Sequence, residues 1–294
     1  MTTATLLTDR AVAAVTIAFS TLEGEGFPVR RALPAQGLEA VGPFIFLDQF
    51  GPLELEPGEA KGAPAHPHAG IETLTLLLEG RFAHKDSLGN ASAMEPGEVQ
   101  WMRAGRGIVH DEGPDAEIRR NGGRVHGVQL WLNMPAGDKH DAPAYRHVRA
   151  REIPQLRSAD GRVTTRVIAG AIGGAIGPVR TAGAPLAAHV SFGGTGGETV
   201  LEIANARELA VYVMTGEVQI GADRRTVPGG GLARLQSGDV VRLAAAGPAE
   251  VLVIGGDRLD APIVRYGPFV MNSAEQLNQA MRDYQSGRMG EIAA

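Results

Sequence analysis

From Val41 onward, short apolar runs alternate with turn signals at a spacing that suits an antiparallel β sandwich or barrel and little else. Phe44 to Leu47 precedes Gly51-Pro52, Glu72 to Leu78 precedes Glu79-Gly80, and Arg81 to Ser87 ends at Leu88-Gly89-Asn90. Val99 to Met102 follows Pro96-Gly97. In Val125 to Leu132, Val128, Leu130 and Leu132 share one side while Gln129, Trp131 and Asn133 share the other. The 40 glycines and 18 prolines turn the chain often, and 44% apolar residues with only 21% charged ones supply buried cores where disorder would lack them. An all-β protein is expected.

A length of 294 residues is more than one small core usually absorbs, which favours two domains. Leu74 to Gly80 followed by Pro96-Gly97-Glu98-Val99-Gln100-Trp101 is echoed by Leu209 to Gly216 followed by Ser237-Gly238-Asp239-Val240-Val241-Arg242, as in a duplicated barrel. The Gly- and Ala-rich stretch between them reads as a crossover. The expected division is a first barrel over residues 1–142, its first residues forming an arm or strand, a crossover over 143–197, and a second barrel over 198–294 that carries the one convincing helix. That helix starts at Ser273, with Gln276 in the capping-box position and Gly287 as its stop. Leu277, Met281 and Tyr284 form the stripe expected to pack on a barrel.

Met1 to Glu23 has neither a basic leader nor a continuous apolar core with a small-residue cleavage pattern, and no apolar run approaches the roughly 18 residues of a membrane span. A soluble, cytoplasmic protein is expected. The net charge of -5 and the lack of a Lys/Arg run argue against a nucleic-acid partner. With no cysteine, any bound metal must use nitrogen and oxygen donors.

His66-Pro67-His68 precedes a strand, and His110-Asp111-Glu112 follows the turn-like Ala104-Gly105-Arg106-Gly107. A spacing of two points both members of each pair to one face of an extended chain, so His66, His68, His110 and Glu112 can converge from neighbouring strands. Three imidazoles and a carboxylate suit a divalent first-row metal with open positions, more than a closed structural zinc site. Seven of the eight histidines fall between positions 66 and 147, so one metal per chain is expected. Glu72 competes for the acidic position because it shares the parity of His66 and His68, but four residues of extended chain span about 13 Å. Glu112 is favoured. His84, His126, His140 and His147 read as hydrogen-bonded or partly exposed residues, with His126 the first choice to support a ligand. Trp101 and Trp131 read as core, and Arg103 and Arg106 as binders of an anionic substrate or of loop carbonyls.

Longer motifs carry a resemblance. His66-Pro67-His68-Ala69-Gly70-Ile71-Glu72-Thr73, Leu77-Leu78-Glu79-Gly80 and His84-Lys85-Asp86-Ser87-Leu88-Gly89 resemble the first signature of the pirins, and Gln100 to Glu112 resembles the second. Gln129-Leu130-Trp131-Leu132-Asn133 and Tyr266 to Asn272 are similar too, so the resemblance spans about residues 30 to 290. It implies two cupin-type β-barrels with Fe2+ held in the first by His66, His68, His110 and Glu112, and a metal-free second barrel. Ala69 stands where many pirins carry arginine and Asp111 where a smaller residue is common; both flank ligands and bear on substrate fit.

Two functional classes follow from the resemblance. One is an enzyme of the quercetin 2,3-dioxygenase type, which takes a flavonol-like small molecule and O2, with Glu112 as ligand and proton acceptor. The other is a metal-dependent module that binds a protein partner or acts as a transcriptional cofactor. A purely structural barrel fits poorly, because nothing structural requires three histidines and a carboxylate to converge in one half.

Overall fold

The computed structural model describes residues 7–181, 183–203 and 206–292. Among these residues the fold is all β, and every pairing between its named strands is antiparallel. The chain forms two compact units. No helix among the described residues is long and apolar enough to cross a membrane.

The histidine-bearing unit takes Phe19–Pro34, Phe44–Glu152 and the chain from Leu259 on. Its larger sheet has seven strands in the order Ala144–Val148, Val99–Arg103, Ile71–Glu79, Gly123–Asn133, Phe44–Leu55, Phe27–Leu33 and Phe19–Glu23. Its smaller sheet runs Ala63–His68, Ile108–Pro114, Phe82–Asp86 and Ala91–Met94. One core joins the two sheets: Phe27, Val29, Phe50, Leu77 and Val125 come from the larger, Phe82 and Met94 from the smaller. The rings of Phe27, Phe50 and Phe82 pack at centroid separations of 5.0 to 6.5 Å, and each such pair is worth about 0.5–1.5 kcal/mol beyond its area burial.

The other unit takes the chain up to Ala18, Ala35–Pro43 and Ile153–Arg258. Its seven strands run Val12–Ile17, Gly231–Leu235, Glu208–Thr215, Ala249–Gly256, Leu186–Phe192, Val163–Ala169 and Gln155–Arg157, and its four run Gly197–Glu202, Val240–Ala245, Glu217–Ile220 and Arg225–Pro228. The strand orders of the two units correspond, so the duplication is structural. Its register differs from the expected one. By sheet position Val240–Ala245 matches Ile108–Pro114, whereas the counterpart of Val99–Arg103 is Gly231–Leu235. Similar Gly-acid-Val turns had suggested the other alignment. The core here is mostly aliphatic, with Val218, Val241 and Leu243 meeting Val190, Val211 and Val253, and Phe192 its aromatic member.

The expected division at 143–197 differs from the observed one. Ala144–Val148 pairs with Val99–Arg103, while Val163–Ala169 and Leu186–Phe192 already belong to the other unit's sheet. The early strand Val12–Ile17 pairs with Gly231–Leu235 in that unit. Buried Arg10 secures it by donating to the carbonyls of Ile203 and Ala206. The helix Ala274–Gln285, assigned from sequence to the second barrel, belongs to the histidine-bearing unit. Ser273 Oγ caps it by accepting from Gln276 N. Leu277 and Ala280 pack with Met289 on Ala69 and Val109, and Tyr284 is exposed, because the buried stripe runs one step round from the expected one.

Gly70 separates two strands that belong to different sheets of the histidine-bearing unit. Its φ is +75°, and a Cβ there would stand 1.9 Å from the carbonyl oxygen of Val270, so only glycine fits. The turn breaks the parity that linked Glu72 to His68. Thr73 and Thr75 lie beside Trp131 and Gln129, whereas Glu72 and Leu74 lie beside Leu132 and Leu130 on the opposite face. Core residue Leu77 shares the side of Thr73 and Thr75, so Glu72 faces away from the barrel interior.

Candidate metal centre

Strand register builds the centre. Ile108–Pro114 lies between Ala63–His68 and Phe82–Asp86, with His110 opposite His66 on one side and Asp86 on the other, and Glu112 opposite His84. Alternation sends these side chains to the face that also presents Phe82 to the core. The ligand atoms of His66, His68 and His110 lie within 4.8 Å of one another, and so do those of His84, His110 and Glu112. His110 belongs to both groups. Glu112 therefore joins through His110 and His84, and not in a single tight set with His66 and His68. Both groups sit in this one unit, among the described residues.

Hydrogen bonds assign the nitrogen that each imidazole offers. His66 Nδ1 is 2.8 Å from the carbonyl oxygen of Pro64, and His68 Nδ1 is 3.1 Å from that of Pro268. A carbonyl only accepts, so each Nδ1 carries a proton, and in the neutral ring Nε2 keeps a bare lone pair. The two Nε2 atoms face each other at 3.1 Å. Two lone pairs make no hydrogen bond. His110 Nε2 is also buried and has no partner among the described residues. Nitrogens bound at about 2.1 Å and at right angles to one ion stand about 3.0 Å apart, so this donor set fits a divalent cation.

Burial, and after it the charge of His66, pulls His68 down to about 3, with the Pro268 carbonyl opposing. His110 is held well below the ordinary imidazole range by burial, then by His66, His68 and His84. Both rings are neutral at pH 7, the form that ligates. The stability they contribute is complete above pH 6.5. It is lost as pH falls, because the unfolded chain takes up protons that the folded one refuses. At pH 5, His68 alone is expected to cost the metal-free protein about 2 kcal/mol, or roughly 4–8 °C in melting temperature relative to pH 7.5. Thermal melts at the two pH values check this, and coincident melts would contradict it.

Glu112 is buried and its Oε1 accepts from Gln129 Nε2. A cavity of about 50 Å3 beside it is walled by Phe27, Val29, Phe50 and Phe82, with Asp48 and Gln129 as polar neighbours. Trp131 lies on the inward face, stacked on Phe46 at 4.4 Å and edge-on to His68 at 4.9 Å. Trp101 is on the opposite face, where its Nε1 donates to Glu72 Oε2. Arg103 donates to the carbonyl of Ala142, one of the two readings open from sequence.

His126, the first choice from sequence to support a ligand, is buried against Gln49 at 2.9 Å and belongs to neither group. The residues beside the predicted ligands are His84 and Gln129. His84-Lys85-Asp86 repeats the two-residue spacing of the ligand pairs, a signal that could have found it. Nothing local singles out Gln129, which reaches Glu112 from another sheet.

Comparison with known proteins bears on this arrangement. The Pirin family model matches residues 26–132, and the model of the Pirin C-terminal cupin domain matches residues 194–290. A pirin-like protein of Caulobacter vibrioides is 39% identical over 271 residues, covering 91% of this chain and 95% of that protein. Pirin of Mus musculus is 36% identical over 273 residues, covering 91% and 90%. Among solved structures, quercetin 2,3-dioxygenase from Acinetobacter baumannii is similar with a TM-score of 0.89 and 31% identity, covering 97% of this chain and 99% of that one.

Proposed function

The chain belongs to the pirin family, and on that footing we propose that it is a dioxygenase of the quercetin 2,3-dioxygenase type, with His66, His68, His110 and Glu112 holding one Fe2+. The observation that carries this reading is the convergence of three imidazoles beside a carboxylate, with the Nε2 atoms of His66 and His68 facing each other at 3.1 Å and that of His110 buried without a partner among the described residues. The likeness to a quercetin 2,3-dioxygenase over nearly the whole chain supports it. Bound there, a ferrous ion would supply Lewis acidity toward a chelating hydroxy-ketone and a redox centre for O2.

The residues around the centre have separable tasks. Gln129 holds one Glu112 oxygen, which aims the carboxylate and leaves the other oxygen to take a proton from the substrate hydroxyl. Phe27, Val29, Phe50 and Phe82 keep water from the cavity beside it. About 50 Å3 admits a molecule the size of O2, whereas sites for drug-sized ligands measure about 300–1,000 Å3. A flavonol would therefore lie across the side marked by half-buried His66, outside the cavity. A cytoplasmic site of action fits a chain without cysteine.

The same small cavity favours a second reading, a metal-dependent protein-interaction or transcriptional cofactor module. Quercetin turnover by the iron-loaded protein, with detection of carbon monoxide, separates the two. The enzyme reading expects carbon monoxide release that falls by about 100-fold or more in Glu112→Ala. Stoichiometric iron without turnover of several flavonols supports the module.

A further inference from the structure

His110 differs from the other two histidines in what stands behind it. His66 and His68 each donate Nδ1–H to a main-chain carbonyl. His110 Nδ1 instead faces the Nδ1 of His84 at 3.5 Å, and His84 Nε2 is 3.1 Å from Asp86 Oδ2. The carboxylate is fixed in turn: its Oδ1 accepts from the main-chain N–H groups of Leu88 and Asn90, at 2.9 and 3.0 Å, and Asn90 Nδ2 donates to both of its oxygens. The Tyr145 ring lies flat against His84, with centroids 4.3 Å apart and planes within 8°, and its hydroxyl meets Ser92 Oγ.

We propose that His84 and Asp86 are positioning residues for the metal centre, a buried imidazole–carboxylate pair that fixes the ring and tautomer of His110. This inference rests on the metal site proposed above. If bare Nε2 is the metal-facing atom of His110, its proton must sit on Nδ1. The acceptor within reach is His84 Nδ1, so the His84 proton must sit on Nε2, where Asp86 receives it. Each tautomer forces the next, and the chain ends on a carboxylate anchored by main-chain donors. Such a pair also restrains rotation of the His110 ring, as carboxylate–histidine pairs do behind metal ligands. At 3.5 Å the contact between the imidazoles is at the outer limit of a hydrogen bond, and a short shift of the His110 ring would tighten it. His84 also lies within ligand distance of His110 and Glu112, so the test must separate a positioning residue from a fourth histidine ligand.

Long-range 1H–15N NMR of the metal-free protein reads the tautomers directly. The proposal expects Nδ1–H on His110 and Nε2–H on His84; Nδ1–H on His84 would overturn it without any variant. Cobalt(II) affinity, measured by competition with a chromophoric chelator, gives the second readout. Asp86→Asn and His84→Gln are expected to weaken cobalt binding by about 10–100-fold, while His147→Gln, which disturbs a separate imidazole–carboxylate pair with Glu98, leaves it unchanged. Equal affinity in wild type and Asp86→Asn would overturn the proposal and leave the metal site standing. A loss in His84→Gln as large as in His66→Ala would make His84 a ligand and overturn its positioning role. Failure of the wild type to bind cobalt would remove both the site and the pair.

Discussion

His110→Ala is expected to weaken cobalt(II) binding by more than about 100-fold, beyond the loss typical of a supporting residue, while the β-sheet signal in circular dichroism persists. His110 is shared by both clusters of donor atoms, and its buried Nε2 has no partner among the described residues. Its neighbours across the sheet, His66 and Asp86, are already engaged and cannot take its place. The fold should survive because the core that joins the two sheets uses Phe27, Phe50, Phe82, Leu77 and Met94 and none of the histidines. Titration of wild type and variant under anaerobic conditions checks this. Cobalt bound with comparable affinity by a folded His110→Ala would mean that the bare nitrogens do not converge on an ion.

Lys139→Met is expected to produce the largest loss of stability of any single polar substitution in the histidine-bearing unit. The Lys139 side chain is fully buried, and its ammonium donates to the carbonyls of Gly70 and Val270, each at 2.8 Å, and to Asn133 Oδ1. Three acceptors match the three protons of its charged form, against burial that pulls its pKa down to about 7. Methionine keeps the stem's volume but leaves three buried acceptors unmet, a cost of about 3–5 kcal/mol and a fall in melting temperature of roughly 10 °C. The effect should extend to the metal. Gly70 turns the chain just after His68, and Val270 follows Pro268, whose carbonyl orients the His68 ring. Differential scanning calorimetry, with and without cobalt, measures both effects; a melting temperature within about 2 °C of wild type would contradict the assignment.

The clustering of His66, His68 and His110 and the nearness of Glu112 could be read from sequence because a spacing of two on neighbouring strands is a local rule that cross-strand register preserves. The assignments that failed depended on long-range pairing. The first residues were expected to form an arm or strand, but nothing near Val12–Ile17 says that its partner is Gly231–Leu235. The terminal helix declared its cap at Ser273, yet the unit it joins is set by Leu277 and Ala280 packing on Ala69 and Val109. Glu72 kept the parity of His68 on paper, and one left-handed glycine at position 70 cancelled it. Gln129 was visible only on the strand side it shares with Trp131 and Asn133 and within a pirin-like motif, until the sheets brought it to Glu112.

Metal analysis of protein purified without oxygen tests the central claim most directly. The account predicts about one divalent ion per chain in wild type, with none retained by His66→Ala, whose fold remains intact. Folded wild-type protein that carries no metal and takes up neither iron nor cobalt would contradict it.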